Sequence, residues 1–174
     1  MPTTISCLIF LPKSCLEWQL STKVPPFPRD RIKTVTVRDL VLESIQRFRP
    51  AALRSPASML ASIGETRPVE AVYRDELSRA CHSLLGDFYL TPEWSGREKT
   101  GRIDLFVPEM GWGIECARDG VKLLGHIKRF LEGGNYYPWI TSGQMTDYIL
   151  IDFRQTLPRT PQRMLLPFLY STVF

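Results

Sequence analysis

Apolar residues recur three and four apart over Asp39 to Phe48, where Leu40, Val41, Ile45 and Phe48 share one side and Pro50 closes the stretch. Ser55-Pro56 opens a shorter helical stretch with Met59, Leu60 and Ile63, stopped by Gly64. The longest helix is expected over Val69 to Leu85. Val69, Val72, Tyr73, Leu77, Ala80, Cys81, Leu84 and Leu85 form its apolar stripe, and Gly86 ends it. A further helix is expected over Arg118 to Gly133, with Val121, Leu124, Ile127 and Leu131 facing inward. Its opposite side carries Arg118, Lys122, His126 and Arg129 as one basic stripe.

Between these helices the period changes to two. Phe88 to Leu90 reads as a strand, followed by the polar loop Ser95 to Thr100. Two alternating runs then flank Pro108-Glu109-Met110-Gly111, a four-residue turn with Gly at its close. A hairpin about that turn sets Val107 opposite Trp112, Leu105 opposite Ile114 and Ile103 opposite Cys116, all apolar and on one side. The same register brings Asp104 opposite Glu115 on the other side, and Arg102 opposite Ala117. Asp147 to Phe153 is nearly all apolar, as a buried central strand would be, and Leu165 to Phe174 reads as a last strand finishing the sheet. The layout is α/β: a mixed sheet of a hairpin plus a buried central strand, flanked by helices. Residues 1–36 read as a leader ending in the Pro-rich linker Val24 to Pro28, and residues 37–174 as the domain proper.

Composition narrows the function classes. The chain has 174 residues, 44% of them hydrophobic, which is enough for a packed core and excludes general disorder. Its longest apolar run, Cys7 to Leu11, is far below the ~20 residues of a membrane span. The net charge of +4 is unevenly placed: Lys23 to Arg54 holds eight basic and three acidic residues, and the remainder is nearly neutral. Such a segment is either a solvated basic face or a contact to a polyanion. Cys7, Cys15, Cys81 and Cys116 have no Cys-x-x-Cys spacing, and only His82 and His126 accompany them, so no zinc cluster is expected. Unpaired cysteines and the lack of a secretory pattern fit a reducing, intracellular compartment.

The opposed Asp104 and Glu115 are the sharpest chemical signal. Like charges facing each other on a hairpin destabilise it unless compensated, by a neighbouring Arg or by a divalent cation. The strings GRID and WGIEC, followed by ARDGVKLLGHIKRF, GGNYYPWI and DYILIDFR, resemble the PD-(D/E)XK or restriction-endonuclease-like domain of Crinkler-type effector proteins over roughly Val69 to Arg154. The resemblance implies a metal-dependent nuclease acting on DNA ahead of RNA, with little sequence specificity, and binding Mg²⁺ or Mn²⁺. It implies Asp104 and Glu115 as metal ligands, joined by a helix Glu, for which Glu76 comes first and Glu70 second. Arg102, Arg118, Lys122, His126 and Arg129 become the nucleic-acid contacts, and no organic cofactor or membrane is implied. An effector of this kind would act inside a host cell, in its nucleus.

One departure matters. The motif has Lys two residues after the Glu, and that position is Ala117 here. Arg102, Arg118 and Lys122 are the available substitutes; of these only Lys122 could give up a proton, since Arg stays charged. Lys122 and Arg118 therefore join the candidate catalytic set. Two alternatives stand beside the nuclease: a nucleic-acid-binding module of the same fold without catalysis, and an effector acting on a host protein. The chain has no G-x-x-x-x-G-K-[ST] phosphate loop.

Overall fold

The computed structural model describes residues 27–28, 31, 34–54, 70–97 and 101–154, together with the backbone of two short strands near the ends. In chain order the elements are β1 (Cys7–Ile9), α1 (Val37–Ile45), α2 (Pro50–Arg54), α3 (Glu70–Leu85), β2 (Thr91–Trp94), β3 (Ile103–Val107), β4 (Trp112–Arg118), α4 (Leu123–Phe130), α5 (Tyr137–Thr141), β5 (Asp147–Phe153) and β6 (Ser171–Val173). Four strands form a mixed sheet in the order β2-β3-β4-β5, with β2, β3 and β4 antiparallel and β5 parallel to β4.

The hairpin register is the one the apolar alternation requires, with Leu105 paired to Ile114 and Val107 to Trp112. Side chains of β5 alternate between two cores. Ile149, Ile151 and Phe153 join Leu105, Val107, Ile114 and Cys116 under α1 and α3, where Leu40, Val41, Leu77 and Leu84 are buried. Tyr148 packs on the other face with Phe106, Phe130, Tyr136 and Trp139, and Leu150 with Ala117, Leu123 and Ile127. The sheet is therefore sandwiched by helices, and burial of both faces explains why β5 carries no alternating polar residues.

Several elements differ from the sequence expectation. Helix α1 starts at Val37 because Thr36 and Asp39 form a reciprocal capping box, with Asp39 N–H donating to Thr36 Oγ1 at 3.2 Å and Thr36 N–H to Asp39 Oδ2 at 3.0 Å. Pro50 opens α2 rather than closing α1, since a first-turn position needs no N–H. The helix expected after Ser55 lies outside the described residues.

The strand expected at Phe88 to Leu90 stands three residues later as β2. Its Pro92 fits an edge strand, whose N–H need not join a ladder. Ile103 packs with Phe106, Tyr136 and Trp139 instead of under α3 with Leu105. Its neighbour Asp104 uses a carboxylate oxygen, Oδ2, to take the Cys116 N–H at 2.8 Å. β5 ends the order of the four-strand sheet rather than lying at its centre, and β6 pairs in parallel with β1 in a separate two-strand ladder. Phe27, at the end of the Pro-rich stretch, is buried and donates its N–H to the Leu84 carbonyl at 3.0 Å.

The largest change is at the basic stripe. β4 runs through Arg118, and α4 begins only at Leu123, so Arg118 is a strand residue and Lys122 caps the helix in a left-handed conformation (φ 54°). Between them Gly120 takes φ 71° and donates its N–H to Asp152 Oδ1 at 3.0 Å. The positive φ is what favours glycine there, since L side chains rarely adopt it. The late start rotates the helix: Leu123, Ile127 and Phe130 face inward, while Val121, Leu124 and Leu131 are exposed.

Candidate active site

A cleft of about 380 Å³ opens over the hairpin and draws on almost every described element around it. Glu70 and Arg74 come from α3, Glu93 from β2, Arg102 and Asp104 from β3 and its approach, Glu115 from β4, His126 and Arg129 from α4, and Asn135 and Tyr136 from the loop before α5. Glu93 stands on β2, Asp104 on β3 and Glu115 on β4, and the β3–β4 pairing runs from Val107–Trp112 to Leu105–Ile114, beyond which Ile103 has turned to the other face. Three carboxylates thus cross three adjacent strands.

Glu115 is almost fully buried and closely held. Its Oε1 is 2.7 Å from His126 Nδ1 and forms a short ion pair with Arg129 Nη1. The Tyr136 hydroxyl lies 3.0 Å from Glu115 Oε2 and 2.5 Å from the Arg102 carbonyl oxygen, with one proton to share between them. Burial first, and then the Glu115 charge, push the Tyr136 hydroxyl well above its ordinary range, so it remains a donor. Tyr136 is fixed in turn by stacking on Trp139, with ring centroids 5.0 Å apart. Trp139 sits against Gly96, where a Cβ would come within 2.1 Å of its Nε1. The aromatic cluster after α4 is therefore core, as its apolar bulk suggests, with one hydroxyl pointing into the site.

Asp104 is less well served. It takes the Cys116 N–H, and among the described residues the cation it pairs with is Arg74, whose Nη1 is 3.7 Å from Oδ1. Burial, and next the Glu115 charge, push its carboxyl up to about 6 from the ordinary 3.8, against the pull of the Cys116 N–H and of Arg74. Perturbation of this kind in a cleft is a mark of functional carboxylates.

Glu76, the first-choice helix ligand, does not belong to this group. Its Oε2 is 2.9 Å from Arg49 Nη2 and its Oε1 is 2.6 Å from Arg79 Nη2, with the Arg49 N–H at 2.7 Å from Oε1. Burial alone would raise this carboxyl, but hydrogen bonds from Arg79 and then Arg49 hold it below the ordinary range. It sits on the side of α3 that meets the approach to α2. Glu70, two turns earlier, lines the cleft. Of the expected nucleic-acid contacts, Arg102, His126 and Arg129 line the cleft, while Arg118 and Lys122 do not. Arg118 Nε is instead 3.7 Å from its neighbour Asp119. Sequence reasoning passed over Arg74, Glu93 and Asn135. Arg74 follows Glu70 by one helical turn, a spacing that was legible; Glu93 became visible only once β2 was correctly placed.

Mg²⁺ and Mn²⁺ take hard oxygen donors, and Mg²⁺ commonly uses one or two protein carboxylates plus water and phosphate oxygen. Asp104 and Glu115 are donors of that kind, and Glu70 and Glu93 stand in the same cleft. Among the described residues no three His, Cys, Asp or Glu side chains are gathered closely enough to hold an ion by themselves. The donor chemistry fits a two-carboxylate site completed by substrate, rather than a closed protein cage. Among the described residues no helix is long and apolar enough to cross a membrane. Compared with family models, curated proteins and solved structures, the chain matches none.

Proposed function

We propose that the chain is a divalent-metal-dependent nuclease of restriction-endonuclease-like architecture, hydrolysing DNA phosphodiester bonds with little sequence preference. One observation carries the reading: Asp104 and Glu115 enter one cleft from paired strands, and burial together with the Glu115 charge raises the Asp104 carboxyl to about 6 despite Arg74 at 3.7 Å. A divalent cation held by Asp104 and Glu115 would relieve that repulsion, polarise a phosphate and lower the pKa of a water. The chain's own groups then have distinct tasks. His126, Arg129 and Tyr136 fix Glu115 in one orientation, so that catalytic geometry does not depend on a flexible carboxylate. Asp104 is fixed by the Cys116 N–H and keeps Oδ1 on the side of Arg74. The Arg-lined rim suits a polyanionic strand. Water adds to phosphorus and one P–O bond breaks, leaving one phosphate-ended and one hydroxyl-ended strand.

The test is plasmid cleavage with Mg²⁺ or Mn²⁺ by the wild type, Asp104→Ala and Glu115→Ala. Cleavage by the wild type alone supports the reading, and equal cleavage by all three contradicts it. A second reading, a nucleic-acid-binding module without catalysis, is favoured by two particulars: Ala117 replaces the motif Lys, and both Glu115 oxygens already have protein partners. It expects DNA binding that falls steeply with salt and needs no metal.

A further inference from the structure

The vacancy left by Ala117 raises the question of which cation faces the substrate phosphate. Resting on the nuclease reading, we propose that Arg74 is the phosphate-contacting cation of the cleft, gripping the non-bridging oxygens of the phosphodiester beside Asp104.

The other candidates are engaged or misplaced. Arg129 is joined to Glu115 by a short ion pair, and its Nη1 also lies 3.2 Å from the Tyr136 hydroxyl. Arg102 is largely exposed and pairs with Glu93 at 3.2 Å, at the rim. Arg118 and Lys122 do not line the cleft. Arg74 lines it and reaches three carboxylates only at long range: Glu93 at 3.5 Å, Asp104 at 3.7 Å and Asp75 at 3.8 Å.

That spacing contrasts with Arg49 and Arg79, which close on Glu76 at 2.9 and 2.6 Å. A guanidinium held by several distant anions is anchored in position yet has donors to offer a closer one. Its planar fork matches two oxygens of a phosphate, which an ammonium does not. Because Arg keeps its proton, this role is charge neutralisation and alignment only. Arg74 also projects from α3 one turn beyond Glu70, so the same helix would set both the phosphate and the outermost carboxylate. The ligand class is thus a phosphodiester bridging Arg74 and the Asp104 edge of the cleft.

Two measurements on the full chain test this. The first is DNA affinity over a salt series in EDTA, and the second is Mg²⁺-dependent cleavage. Both are run on wild type, Arg74→Ala, Arg74→Lys and Lys122→Ala, with circular dichroism confirming folding. Arg74→Ala is expected to lower the slope of log K against log salt by about one and kcat/KM by about a hundredfold. Arg74→Lys keeps the charge, so it should retain the salt slope while losing roughly tenfold in kcat/KM through the missing fork. This second variant decides the matter if Arg74→Ala fails to fold. Unchanged slope and cleavage in the Arg74 variants, or the same losses in Lys122→Ala alone, overturn the proposal while leaving the nuclease reading intact. Absence of both DNA binding and cleavage in the wild type defeats the nuclease reading, and the Arg74 assignment with it.

Discussion

Two buried carboxylates, Glu76 on α3 and Glu115 on β4, are comparably hidden from water, yet their surroundings differ in kind. Glu76 has two guanidinium groups and a backbone N–H, and its carboxyl is held below the ordinary range against the effect of burial. Glu115 also has an Arg, but it shares its cleft with Asp104, Glu93 and Glu70, and its charge helps raise Asp104 to about 6. Around Glu76 the charges complete each other within the protein. Around Asp104 burial and the Glu115 charge outweigh the pull of Arg74, 3.7 Å away, and on the proposed reading a further cation would complete the balance. A buried acid on a helix marks a structural tie as readily as a catalytic group; what separates the two is the balance of charge around it.

The largest expected effect contrasts the two carboxylate groups directly. Asp104→Asn should lower Mg²⁺-dependent DNA cleavage by a hundredfold or more, on the order of the several kcal/mol a metal contributes. Glu76→Gln should leave kcat/KM within about threefold, measured below its lowered melting temperature. An exchange of these outcomes would break the comparison. On stability the order reverses. Glu76→Ala strands Arg79 and Arg49 and should cost about 2–3 kcal/mol by urea denaturation, at the lower end for a broken buried pair because both guanidinium groups are partly exposed.

Asp104→Asn should instead stabilise the metal-free protein at pH 7 by about 2 kcal/mol. The sign follows from the shift. Asp104 has a folded value of about 6 against 3.8 in the unfolded chain, so the folded state binds more protons between those values and loses stability as pH rises through that window. The gain should therefore vanish below about pH 4, as melting curves across pH would show. Smallest is the rim: Arg102→Ala should change stability by less than about 0.5 kcal/mol, because its side chain is 64% exposed. A larger loss there would mean that the rim is as tightly tied as Glu76.

The hairpin was the most legible part of the chain, because the Pro108 to Gly111 turn and flanking apolar alternation admit one register. The observed pairing covers Leu105 to Val107; Asp104 and Glu115 reach the same cleft, while Ile103 departs from the face it was expected to share with Cys116. Helix α3 was equally clear from its stripe. Less legible were features that depend on contacts across the sheet. The basic stripe from Arg118 to Arg129 fits a helix on spacing alone, but Asp152 on β5 holds the Gly120 N–H, keeps Arg118 in β4 and delays α4 to Leu123. Glu76 and Glu70 are both plausible on one helix. Arg79, three residues on, offers Glu76 a partner that spacing shows, whereas Arg49, 27 residues away in sequence, completes the tie in a way that only the fold reveals. The positive excess of Lys23 to Arg54 is likewise partly internal, since Arg31 pairs with Glu43 at 2.6 Å and Arg49 with Glu76.

The cation site proposed at Asp104 and Glu115 is open to one direct measurement: calorimetric titration of Mg²⁺ into the metal-free protein, with wild type and Asp104→Asn side by side and no nucleic acid present. The account predicts saturable binding by the wild type that is lost in Asp104→Asn. No binding by the wild type, or equal binding by both proteins, would contradict it.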